Sequence, residues 1–374
     1  MKIDTLLLRE IIDSRTSKTV EAEINGSYGK APSGASTGEN EAKCFVPEHL
    51  DEIQDLLQQM EGEDLTQEEF DRRLHEIDDT GDFSRLGAAS IASSFAFKNA
   101  SGFDHGDLFP LPLSNIIGGG EHGGNTAIQE FLVLPVNADS FPEAIETNVS
   151  IYQEMQERYS QKVMGMNDEG ALITSMDDEQ TLKALKKVAD EHDARIGLDI
   201  AASEFHEDGE YHLSSMNSRY TPEEMKDFVQ KIIDEFDLVY VEDPFDEHDF
   251  RMHAKLTREN PDVMICGDDL FTTDRDRLQE GIENGACNSL IVKPNQIGTV
   301  SDARETVELA QENNYTPVIS HRSGETCDAT ISDLSLEWET PIIKAGIADI
   351  RIAKLNRLLR LWDMKDEPEM NTPR

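Results

Sequence analysis

Three carboxylates and a set of cationic side chains close a series of short apolar runs in the second half of this chain. Asp199 ends Ile196-Gly-Leu-Asp199, Glu242 ends Leu238-Val-Tyr-Val-Glu242 and Asp268 ends Met264-Ile-Cys-Gly-Asp268. Lys293, His321-Arg322-Ser323 and Lys344 close the next runs. Carboxylates that converge repel one another unless a cation lies between them. Hard oxygen donors with room left for water and substrate suit Mg2+. A lysine beside them, its pKa lowered by burial and by neighbouring positive charge, is a base near neutral pH. His, Arg, Ser and a second Lys are donors suited to a phosphate and a carboxylate. Together they describe a site for a small, doubly anionic substrate. A proton α to a carboxylate is too weakly acidic for a lysine alone, so metal ions on the carboxylate oxygens are needed to stabilise the ene-diolate. Taken singly, each carboxylate reads equally well as a cap on a neighbouring helix, and Lys293 and Lys344 as structural ion-pair partners.

The elements that must position these residues follow from their spacing. From Asp199 the strand-end residues come at intervals of 43, 26, 25, 28 and 23 residues (199, 242, 268, 293, 321, 344). Gaps near 25 fit one strand plus one crossover helix. Buried parallel strands read as continuous apolar runs, and polar residues at nearly every strand end favour a (β/α)8 barrel, whose C-terminal strand ends face the active site. A doubly wound sheet would gather them at one switch point. The run Ile128-Gln-Glu-Phe-Leu-Val-Leu134 opens this region, and Thr221-Pro-Glu-Glu signals a capped helix start.

The first 110 residues read as an α+β capping domain, with 111–374 as the barrel domain. Thr19–Ile24 alternates like a half-buried strand and Asn25-Gly26 supplies a hairpin turn. Residues 48–77 and 87–100 carry helical periodicity, and 102–112 reads as a linker.

The 76 acidic residues against 34 basic give a net charge of −42, spread along the chain. Such a surface repels nucleic acid and anionic membranes. It suits a cytosol of high salt, where screening removes the self-repulsion, so a halophilic source is expected. Cys44, Cys266, Cys287 and Cys327 show no paired spacing and read as reduced, mostly buried thiols. With no leader pattern and no apolar run of membrane-spanning length, a cytoplasmic protein is expected.

Several longer strings are similar to one family. Ser33-Gly-Ala-Ser-Thr-Gly-Glu, Asn115-Ile-Ile-Gly-Gly-Gly-Glu-His122, Val241-Glu-Asp-Pro-Phe, Val292-Lys-Pro-Asn-Gln-Ile-Gly-Thr and Ile319-Ser-His-Arg-Ser-Gly-Glu-Thr closely resemble enolase, in order, from about residue 10 to 360. The resemblance implies reversible dehydration of 2-phosphoglycerate to phosphoenolpyruvate, a step of glycolysis and gluconeogenesis, by a Mg2+-dependent phosphopyruvate hydratase. Asp199, Glu242 and Asp268 would hold Mg2+, with Ser36 helping to bind a second ion. Lys293 would be the base at C2 and Glu169 the general acid, supported by Glu130. Lys344 would contact the substrate carboxylate, Arg322 and Ser323 its phosphate, while His122, Gln129 and His321 line the site. A homodimer or higher homo-oligomer is implied as well. Enolases usually read SRGNPT where this chain has Ser14-Arg-Thr-Ser-Lys-Thr19, and GDEGGFAP where it has Asn167-Asp-Glu-Gly-Ala-Leu-Ile-Thr174. These departures leave open an enolase-like lyase or isomerase for another α-hydroxy or phospho-acid, or a barrel that binds without turnover.

Overall fold

A computed structural model describes residues 1–34, 40–120, 123–213 and 218–373. The N-terminal domain is a three-stranded antiparallel sheet, β1 (Leu6–Ile12), β2 (Lys18–Ile24) and β3 (Ser27–Lys30), packed on three helices. Asn25 and Gly26, both at positive φ, make the tight β2–β3 turn. The helices are α1 (Leu50–Leu57), α2 (Gln67–Asp78) and α3 (Ala88–Ser101). α3 is built from small residues and lies so close to β3 that a Cβ on Gly29 would sit 2.3 Å from the Ala92 carbonyl oxygen. The continuous helical period expected over 48–77 is broken between α1 and α2. Gly62 N donates to Ile3 O at 2.7 Å and Asp64 bridges Lys2, so the chain's first residues claim that segment's backbone. Thr66 then starts α2 with a capping box.

The second unit is a closed barrel. Its strands are β4 (Leu111–Gly118) and β5 (Glu130–Leu134), then, after the outer helices α4 (Phe141–Arg158) and α5 (Asp178–Glu191), β8 (Arg195–Asp199). Between those helices a small hairpin, β6 (Val163–Met166) and β7 (Leu172–Thr174), flanks β4. Five further strands complete the circuit: β9 (Tyr240–Glu242), β10 (Met264–Gly267), β11 (Ser289–Val292), β12 (Thr316–Ser320) and β13 (Ile342–Lys344). β13 pairs with β4 to close the eight-stranded ring. The expected capped helix α6 (Pro222–Phe236) begins at Thr221 with a capping box; α7 (Phe250–Glu259) and α8 (Arg275–Asn284) follow, and helix α9 (Val300–Glu312) crosses from β11 to β12.

Two expectations need correction here. Residues 102–112 are no plain linker: Leu108–Phe109 pairs with Glu369–Met370, and Leu111 already opens β4. The barrel is also not uniformly parallel, because β5 runs antiparallel to both β4 and β8. Its N-terminal residue Glu130 therefore pairs with Asp199 at the mouth, which is why this apolar run carries its carboxylate at its start. Leu113, Leu132, Tyr240, Cys266, Ile291, Val318 and Ile342 fill the interior below. Among the cysteines, all free, Cys266 and Cys287 are buried, Cys44 is half-buried and Cys327 is exposed, so the thiols are less uniformly buried than expected. No helix among the described residues is long and apolar enough to cross a membrane.

The N-terminal domain is pinned to the barrel mouth by backbone. Ser33 and Gly324 exchange two hydrogen bonds of 2.7 Å, and Ser14 N donates to Glu325 O at 2.7 Å. A Cβ on Gly324 would fall 2.1 Å from Ser33 Oγ, so only glycine permits that approach.

Candidate active site

Strand register alone puts Glu130, Asp199 and Glu242 side by side on β5, β8 and β9. One residue further on, Asp243 turns into a left-handed conformation, φ 40°. Its carboxylate accepts from Asp268 N at 3.0 Å and Asp269 N at 2.8 Å, which fixes the turn that carries Asp268 after β10. Lys344, at the end of β13, reaches across to this row. Its Nζ donates to Asp199 Oδ2 at 3.0 Å and to Glu242 Oε1 and Oε2 at 2.8 and 2.7 Å, and pairs with Glu130 Oε2 at 2.7 Å. Tyr240 OH, two residues below on the same face, donates to Glu242 Oε2 at 2.7 Å. Lys293 pairs with Asp268, and Gln296 Nε2 donates to Asp268 Oδ1 at 3.0 Å.

Above this layer lies a polar cleft. Gln129, Glu130, Glu169, Asp199, Asp268, Lys293, His321, Arg322, Ser323 and Lys344 all line it. Ser36 and His122 lie outside the described residues. Glu242 does not reach the cleft surface; it is fully buried beneath Lys344. Glu169 sits on the turn between β6 and β7, where Asn167 Oδ1 accepts from Glu169 N at 3.0 Å and Ala171 N at 2.8 Å. Asn115 Nδ2 donates to Glu130 Oε1 at 3.0 Å and to Glu169 Oε2 at 3.4 Å. Glu41, Asp243, Asp269 and Glu204 also line the cleft and escaped the sequence reading. No periodicity or strand end marks Glu41 or Glu204, and Asp243 and Asp269 were hidden behind their neighbours Glu242 and Asp268.

The electrostatics are dominated by crowded acid. Eight carboxylates (Glu41, Glu130, Glu169, Asp199, Glu204, Asp243, Asp268, Asp269) face three cations (Lys293, Arg322, Lys344) in this cleft. Burial pushes the Glu242 carboxyl well up, and neighbouring Asp199 pushes it further. Burial raises Asp269 to about 8, with Asp268 adding to it. Burial raises Glu130 to about 7, Lys344 opposing and Glu169 reinforcing. His321 is held neutral, first by burial and then by Arg351 and Lys344, and its Nδ1 accepts from Gly346 N at 3.3 Å. Lys293 departs from expectation. Burial lowers its pKa, as do Arg322 and Lys344, but the surrounding carboxylates, Asp268 first and Glu242 with it, together outweigh this and the ammonium stands raised.

The expected metal trio is likewise drawn differently. Among the described residues, the groups whose ligand atoms fall within 4.8 Å of one another are Asp243–Asp268–Asp269 and Glu130–Glu169–His321. Lys344 stands between Asp199 and Glu242, and Lys293 against Asp268, so the lysines carry the charge compensation. The donor set still fits a hard dication. It offers buried oxygen donors on three successive strands, with Asp199 raised by burial and by Glu130 and Asp268, and Glu242 by burial and by Asp199, a state that added positive charge relieves.

The sequence matches the family model for the enolase N-terminal domain over residues 3–106 and that for the enolase C-terminal TIM barrel domain over 107–369. The chain belongs to the enolase family. A curated enolase from Natronomonas pharaonis is 43% identical, covering 96% of this chain and 98% of that protein. Those from Halobacterium salinarum and Archaeoglobus fulgidus are 42% and 38% identical, covering 97% and 99% of this chain and 99% of each relative. The enzyme class expected of an enolase, phosphopyruvate hydratase, follows with the family. The TIM barrel with its separate smaller N-terminal domain is likewise the enolase architecture.

Proposed function

We propose that the chain interconverts 2-phosphoglycerate and phosphoenolpyruvate, with Lys293 as the base at C2 and Glu169 as the acid at the C3 hydroxyl. The observation that carries this reading is that both residues line one cleft with Arg322, Ser323 and Lys344. Lys293 Nζ takes the C2 proton once the hold of Asp268 on it is relaxed; Arg322 and Lys344 then favour its neutral form. Asp199, Glu242 and Asp268 would hold Mg2+, whose positive charge would engage Asp268 in place of Lys293 and offset the negative charge developing on the substrate carboxylate. Glu169 donates a proton to the departing C3 hydroxyl, which leaves as water. Glu130, raised to about 7 and joined to Glu169 through Asn115, keeps a proton available to that acid near neutral pH. Lys344 meets the substrate carboxylate, while Arg322 and Ser323 meet the phosphate. Gln129 and neutral His321 line the bound substrate; by resemblance His122 would join them and Ser36 would help to bind a second Mg2+.

In this reading residues 1–110 form the cap and 111–374 the catalytic barrel of a cytoplasmic, salt-adapted homodimer or higher homo-oligomer of glycolysis and gluconeogenesis. Its partner is a small phosphorylated acid, not nucleic acid or membrane. Ultraviolet absorbance tests it directly: with Mg2+ in molar KCl, 2-phosphoglycerate should give the rise that marks phosphoenolpyruvate. No rise, with turnover of another α-hydroxy acid, would replace this substrate by that one.

A further inference from the structure

Glu41 belongs to the N-terminal domain, yet its side chain is buried at the barrel mouth, 6% exposed. Arg322 Nη1 donates to its Oε2 at 2.8 Å and Nη2 to its Oε1 at 3.3 Å, a two-point grip on a guanidinium that is itself buried. Paired donors of this kind fix the plane of an arginine as well as its position. The same carboxylate is tied to the metal side of the cleft. Gln296 Nε2 donates to Glu41 Oε1 at 3.3 Å and to Asp268 Oδ1 at 3.0 Å, and Ala42 N donates to Gln296 O at 2.6 Å. In a cleft this rich in carboxylates, Asp268 among those that attract it, an ungripped guanidinium has several anions to settle on.

We propose that Glu41 is a positioning residue for the reaction: its carboxylate holds Arg322 in the one orientation that receives the substrate phosphate. Phosphate capture by the barrel thereby depends on a side chain of the other domain. The proposal rests on the reading above that Arg322 meets the phosphate. Because the phosphate ester is neither made nor broken in the reaction, a loss of orientation there weakens ground state and transition state alike and appears in KM.

The test is a double-mutant cycle on the full chain with 2-phosphoglycerate and Mg2+ in molar KCl, using Glu41→Gln, Arg322→Gln and the pair. Glu41→Gln should raise KM roughly tenfold, the scale of one weakened charge-assisted hydrogen bond, with kcat changed by less than about threefold. Glu41→Asp, which keeps the charge, should lie nearer to wild type, and carries the same cycle should Glu41→Gln not fold. In the Arg322→Gln background, Glu41→Gln should add less than about twofold. Full additivity, or a loss confined to kcat, overturns the role of Glu41 while leaving Arg322 on the phosphate. An unchanged KM for Arg322→Gln removes the phosphate assignment, and the proposal falls with it.

Discussion

Lys344 Nζ donates to both carboxylate oxygens of Glu242, at 2.8 and 2.7 Å, from the strand diametrically opposite in the ring. One ammonium thus spans the barrel and holds Glu242, Asp199 and Glu130 together. Replacing it by methionine leaves three buried carboxylates without their cation. Lys344→Met should lose about 3–5 kcal/mol of stability in denaturant titrations without divalent ions. A loss below about 1 kcal/mol would show that this row does not need Lys344.

Charge and metal should act separably on stability. At a net charge of −42, screening should raise the unfolding midpoint steadily as KCl is taken from dilute to molar. MgCl2 at matched ionic strength should add a further rise, because binding to the folded state stabilises it by mass action. Asp268→Asn should diminish that increment and leave the KCl dependence intact. An increment unchanged in Asp268→Asn would take Asp268 out of the metal site.

A pH effect is expected far from the cleft. Asp71 on α2 is buried, accepting from Ser301 N at 2.9 Å and Oγ at 2.6 Å at the start of α9, and from Ser94 Oγ at 2.7 Å. Burial raises its pKa from 3.8 to about 6 against those hydrogen bonds. A carboxyl raised on folding binds its proton more tightly in the folded state, so its stabilising contribution is full below pH 4 and lost as pH rises through 6. The shift of roughly two units corresponds to about 3 kcal/mol. Asp71→Asn should remove that fall, so that wild-type and variant profiles diverge between pH 4 and 6 at constant salt. Parallel profiles would contradict it.

The turn from Asp13 to Ser17 carries a cost that can be relieved. Thr16 sits at φ 62°, left-handed and β-branched, while Asp13 Oδ1 accepts from Arg15 N at 2.9 Å and Ser17 N at 2.8 Å. This conformation costs a non-glycine residue roughly 1–2 kcal/mol, part of which is offset by the greater unfolded freedom of glycine. Thr16→Gly should therefore stabilise by up to about 1 kcal/mol in thermal or denaturant unfolding. Destabilisation would mean that the threonine side chain compensates for the strain.

Asp199, Asp268, Lys293 and Lys344 were legible because buried parallel strands are unbroken apolar runs with one polar residue at the end. β4 was not, since Leu111-Pro-Leu-Ser-Asn-Ile-Ile-Gly118 mixes Pro, Ser and Asn into the run although every residue in it is buried. The reversal of β5 was equally invisible: periodicity carries no strand direction, and only Glu130 at its start hinted at it. The sign of the Lys293 shift needed the contact with Asp268, which spacing cannot supply. Glu41 lies in a stretch with no periodic signal, and its role depends on a partner 281 residues away.

The division of labour between Lys293 and Glu169 is tested most directly by exchange of the C2 proton of 2-phosphoglycerate into D2O, followed by NMR. Lys293→Ala should slow exchange by about 10³-fold or more, while Glu169→Gln should keep measurable exchange and lose dehydration. Exchange that persists without Lys293, or is lost equally in both variants, would contradict it.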